Sequence, residues 1–149
     1  MFKTKLLILL LSSCLYLSCA KKNLSDNNTK YSLGYVGGQY DGVVLYNLLK
    51  SHLNSNGMFD PNSNFKITAS VTHSESIFIT NIDNTSDREK ITSEINMSII
   101  NEKLVYKPYN FSDTISQFYI FSPNANFTSN NRAKLGIKFN NTDAVVKKF

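Results

Sequence analysis

Two histidines stand in this chain of 149 residues, and their neighbours set what chemistry they could do. His73 is followed by Ser74, Glu75 and Ser76, so an imidazole, hydroxyls and a carboxylate lie side by side. Such a set could support nucleophilic hydrolysis, with His73 serving Ser74 or pairing with Glu75. No nucleophile-elbow sequence surrounds it, however. His52 recurs with Leu45, Leu48, Leu49 and Leu53 on one helical face, where an imidazole is more often packed than catalytic. Two isolated histidines, with cysteines only at positions 14 and 19, do not supply a usual zinc ligand set. Gly34, Gly37, Gly38 and Gly42 precede a helix that lacks a Lys-Ser or Lys-Thr pair at its start, so they read as loop glycines rather than a phosphate cradle. The expectation is no catalytic residue, no cofactor and no metal: not an enzyme.

The basic residues are the next candidates. Arg88 and Lys90 follow a polar turn at 81–87, Lys103 and Lys107 flank a second turn, and Arg132, Lys134 and Lys138 lie in the last segment. They form either a solvated face or a patch for phosphates on an anionic lipid or saccharide, since Lys and Arg bind phosphate by charge and hydrogen bonds. The net charge is +5, and removing Lys3 and Lys5 leaves +3, too mild and too scattered for nucleic acid. Asn-x-Ser/Thr triplets begin at Asn84, Asn96, Asn110 and Asn126, but 19 asparagines make such triplets expected by chance.

The N-terminus reads as an address. Lys3 and Lys5 precede an apolar run at 6–11, extended by Leu15, Tyr16 and Leu17, and Ser18-Cys19 gives way at once to Ala20, Lys21 and Lys22. Basic, apolar, small and then polar is the secretory order. The run is too short to span a membrane with flanks, and no long apolar span follows residue 18, which excludes a polytopic helical membrane protein. Cleavage before Cys19 would leave a single exported cysteine at the new N-terminus. Ser18-Cys19 resembles the lipobox of bacterial lipoproteins, where that cysteine carries lipid. Leu11-Ser12-Ser13-Cys14 is the alternative, with a shorter apolar run before it. Ala20 rather than an Asp after Cys19 points to the outer membrane. The chain then divides into a signal at 1–18, a lipidated tether at 19–30 and one domain at 31–149. Residues 20–30 could reach at most about 35–40 Å.

Within the domain, Tyr31, Leu33 and Tyr35 alternate as a short strand ended by Gly37-Gly38. Asp41 is placed to cap a helix over 42–55, stopped by Gly57. Phe65, Ile67, Ala69 and Val71 alternate with polar residues in the clearest strand, and 77–79 extends it or stands apart. A second alternating run covers 88–100, a turn at 101–103 leads to 104–106, Pro108 breaks that pairing or sits at an edge, and 115–121 is an aromatic strand ended by a turn at 122–124. Residues 130–149 read as a helix, with Ala133, Ile137, Val145 and Phe149 at roughly helical spacing. Strand, helix, three strands, helix is an α+β order with helices on one sheet face.

This layout resembles the LPS-assembly lipoprotein family, LptE. The resemblance rests on the helix at 41–57, the strand at 64–71, the segment at 86–99 and the stretch at 116–134 with its Ser-Pro-Asn-Ala turn. It implies two helices packed on one face of a roughly four-stranded sheet. It further implies a plug and folding partner of an LptD-type outer-membrane β-barrel in lipopolysaccharide transport. Basic residues in two loops would contact lipopolysaccharide, and here Arg88 borders the first and Arg132 lies beyond the second. A periplasm-facing interaction lipoprotein without that role is the alternative, and a tethered hydrolase using His73 is a third.

Overall fold

The computed structural model describes residues 29–78, 88–104, 107–121 and 126–149. The signal segment, Cys14, Cys19, most of the tether, the end of the 77–79 extension and the turns at 81–87 and 122–124 lie outside the described residues. The elements are β1 (Ser32–Gly37), α1 (Gln39–Ser55), β2 (Phe65–Phe78), β3 (Arg88–Asn101), β4 (Tyr109–Ile120) and α2 (Phe127–Val146). The four strands form one sheet in the order β1-β2-β3-β4. β1 runs parallel to β2 through the α1 crossover, and β2, β3 and β4 are antiparallel neighbours. Both helices pack against the sheet, so the α+β expectation holds.

Alternation builds the core. Ile67, Ala69 and Val71 of β2 and Ile91, Ile95 and Met97 of β3 face the helices and are buried. Leu45, Leu49 and Leu53 of α1 recur at four-residue spacing over them, as the stripe of an amphipathic helix must. Val145 and Val146 close the core from α2, with Phe111 and Ile115 of β4 packed at its margin. The opposite sheet face carries no helix. Tyr35, Thr68, Ser70, Asn96, Asn110 and Ser112 line a shallow trough of about 500 Å³ there, without a charged side chain in it.

Several boundaries differ from the sequence reading. β1 continues through Gly37, and α1 begins at Gln39 with Gly38 as its N-cap, so Asp41 sits in the first turn instead of capping it. Gly38 has φ 120°, which a side chain rarely adopts. Gly34 and Gly37 are strand residues and Gly42 is helical, not loop glycines. A Cβ on Gly42 would lie 2.8 Å from the Gly37 carbonyl oxygen, so the missing side chain lets α1 cross close over the end of β1. β4 starts six residues before the expected 115, at Tyr109. Its alternation is masked by Asp113, which opposes the buried Ile95 yet is charged. Lys148 reaches it at 2.7 Å from beyond the C-terminal end of α2. α2 starts at Phe127, three residues before the expected 130, because Asn126 caps it by accepting a 2.8 Å hydrogen bond from the Ser129 amide.

Candidate functional site

Three places could do chemistry or recognition. The first is the end of the domain where β3 begins, β4 ends and α2 starts. Arg88 is the first residue of β3, opposite Ile120 of β4, and is exposed. Arg132 is exposed on the second turn of α2 and pairs with no described carboxylate. The fold thus brings both sequence-selected arginines to one end. Apolar side chains share that end: Phe118, Ile120, Phe121 and Phe127 are all exposed, Phe127 to 83%. Cationic groups beside exposed aromatic and aliphatic ones are what a phosphorylated amphiphile would meet.

The neighbouring lysines are already committed. Lys134 pairs with Glu89 and lies 3.2 Å from Glu75, while Lys138 lies 2.8 Å from the other Glu75 oxygen. The Lys138 hydrogen bond, more than any other influence, holds the Glu75 carboxyl below its ordinary value. The hydrogen bond to Glu89 raises Lys134, with burial opposing it. Beneath them, the Tyr119 hydroxyl donates to Asn130 Oδ1 and fixes the first turn of α2 on β4. These ion pairs lock α2 to the sheet.

The second place surrounds His73. Strand geometry sends Ser74 to the face away from the His73 ring, so the expected His73–Ser74 partnership is not formed. Glu75 is on the correct side but is held by Lys134 and Lys138. The ring instead meets Ser93 Oγ at 2.8 Å through Nδ1, and its Nε2 lies 3.9 Å from Asp41 Oδ2. Ser93 in turn accepts a 3.1 Å hydrogen bond from Asn141 Nδ2. Serine, histidine and aspartate are therefore adjacent, but Ser93 is fully buried, where no substrate reaches its hydroxyl. The sequence reading took Asp41 only as a helix cap and did not single out Ser93 or Asn141. A signal existed for Ser93, which occupies an inward slot between Ile91 and Ile95. His52 ends α1 half-buried, with Nε2 3.3 Å from Asn56 Nδ2. No group of three metal-ligating side chains comes together among the described residues.

The third place is the open sheet face, with its neutral trough of hydroxyls and amides. Thr92 and Ser116 bond across it at 2.9 Å. The trough can be wetted or can meet another neutral polar wall. Lys66 and Glu94, charged groups on the same face, stand at its margins, the first paired with Glu102 and the second hydrogen-bonded to Asn96.

The fold is shared with solved bacterial lipoproteins. Rare lipoprotein B from Shewanella oneidensis superposes with a TM-score of 0.65 over 80% of this chain and 89% of its own, at 11% identity. A minor lipoprotein from Acinetobacter baumannii gives 0.55 over 80% and 86%, at 17% identity. Lipoprotein B from Nitrosomonas europaea gives 0.55 over 80% of each chain, at 8% identity. No protein-family model matches the sequence, and no curated protein sequence matches it significantly. The likeness is one of architecture, and it covers nearly the whole of each neighbour.

Proposed function

We propose that this chain is an outer-membrane lipoprotein, lipidated at Cys19 and facing the periplasm. In this reading it seats as plug and assembly partner in an LptD-type β-barrel for lipopolysaccharide transport, and it catalyses nothing. The observation that carries the reading is the one-sided fold: two helices cover one sheet face, and the other face is open, with an uncharged trough at its centre lined by Ser, Thr and Asn side chains. A barrel lumen is polar, so the uncharged trough can lie against it without burying an unpaired charge, while Lys66 and Glu94 at its margins are held by Glu102 and Asn96. The lipoprotein neighbours support the first half of the reading, and the Ser18-Cys19 address fits it. Several acyl chains hold a domain on a bilayer far longer than one does, and a tether raises its concentration near a membrane partner.

Lipopolysaccharide contact falls to Arg88 and Arg132 at the apolar end. A C-terminally tagged chain extracted in mild detergent tests the partnership. The expected result is a large β-barrel retained stoichiometrically at high salt. Recovery of the chain alone would leave the alternative, an envelope interaction lipoprotein without a lipopolysaccharide role.

A further inference from the structure

Four polar side chains, one from each of four elements, form a single line through the helix–sheet interface: Asp41 of α1, His73 of β2, Ser93 of β3 and Asn141 of α2. Ser93 and Asn141 have no solvent exposure, and the His73 side chain has 5%. Buried polar groups are expected to be paired. Here one is not: Asn141 Oδ1 has no partner among the described residues, although its Nδ2 donates to Ser93.

With the Asn141 amide oriented as observed, the contacts allow one continuous direction. Since Ser93 Oγ accepts from Asn141, its own proton is available to His73 Nδ1. The neutral ring then carries its proton on Nε2, toward Asp41. In that arrangement the Asn141 and Ser93 donors point from α2 toward β2, and Nε2–H faces Asp41 at 3.9 Å.

We propose that this line is a proton-operated relay, in which protonation of His73 reverses the hydrogen bonds between β2 and α2 and turns over the Asn141 amide. A protonated ring must donate from Nδ1, so Ser93 Oγ becomes an acceptor from His73. The Ser93 proton then swings to Asn141, whose Nδ2 cannot accept. The amide turns so that Oδ1, the atom left without a partner in the neutral state, receives it. One proton is taken up at the ring, and the rest of the change is rotation. At the other end, Nε2–H gains a charge opposite Asp41, which draws α1 and β2 together.

The charged groups acting on the ring are Asp41 from α1, Glu75 from β2 itself and Lys138 from α2, while β3 contributes the uncharged Ser93. Burial lowers the ring's pKa below its ordinary value, with Asp41 opposing. A cleft of about 120 Å³ between α1 and α2, bordered by Asp41, His73, Lys138 and Thr142, gives the proton a route from solvent. The switch therefore sits where the two helices meet, and both helices register it.

The test is a side-chain nitrogen NMR titration of the isotope-labelled full chain in neutral detergent. The expected result is an Nε2–H ring at high pH, and an Asn141 side-chain amide that moves between two positions with the same midpoint as His73. Ser93→Ala should leave His73 titrating while the Asn141 amide stops responding. An Asn141 amide that stays fixed while His73 titrates would overturn the relay, as would an Nδ1–H ring at high pH. If Ser93→Ala does not fold, the wild-type titration decides alone.

Discussion

His73 links one residue's chemistry to the stability of the whole fold. Its folded pKa is lowered chiefly by burial, so below about pH 6.5 the unfolded chain takes up a proton that the folded chain resists. Stability is therefore full above that pH and falls as the pH drops toward the lowered value. Denaturant midpoints measured from pH 8 downward should show the decline, and His73→Asn, which keeps a partner for Ser93 and does not titrate, should flatten it. Ser93→Ala should cost about 1–3 kcal/mol, because it leaves two polar partners unpaired. Asn141→Leu should lie within about 1 kcal/mol of the wild type, since it removes the unpartnered oxygen and keeps the volume. Gly42 is a second point of leverage. Gly42→Ala places a methyl group against the Gly37 carbonyl and should cost about 1–3 kcal/mol by overpacking, measured by urea unfolding.

At the scale of elements, the strands and α1 were legible because their packing is apolar and periodic. Ile67, Ala69 and Val71 announce one inward face, and Leu45, Leu49 and Leu53 announce the helix above it. Leu49→Ala should cost about 2–5 kcal/mol, as removal of a fully buried leucine does, read from the denaturation midpoint. α2 was the hardest element to bound. Its inner face includes Asn130, Asn141 and Thr142, all buried: the sheet offers Tyr119 and Ser93 to the two asparagines, and Thr142 donates to the Lys138 carbonyl of its own helix. A hydrophobic pattern cannot reveal a face built from buried polar side chains. The start of β4 was hidden in the same way by Asp113, whose partner Lys148 is 35 residues away in sequence. The candidate arginines were legible by type and position, but their convergence depends on β3, β4 and α2 meeting at one end.

Across the whole molecule, function depends on how the sides of the domain differ. The helix side is closed by core packing and ion pairs, the open sheet side has an uncharged polar trough, and one end combines Arg88 and Arg132 with exposed aromatic rings. If that end meets lipopolysaccharide, the double variant Arg88→Ala with Arg132→Ala should weaken binding of the purified lipid by at least about tenfold. Each lost hydrogen bond between charged groups is worth about 1.5–3 kcal/mol. Exposed substitutions of this kind should leave the unfolding midpoint almost unchanged.

The central claim is that the open sheet face lies against the wall of an outer-membrane barrel. A photo-crosslinking residue at Asn96, in the middle of that face, tests it in intact envelopes. The expected result is one abundant adduct with a large β-barrel, lost when Ser70 and Ser112 beside it are changed to lysine. Barrel adducts from the helix side and none from Asn96 would contradict that orientation, and no barrel adduct from any face would contradict the plug itself.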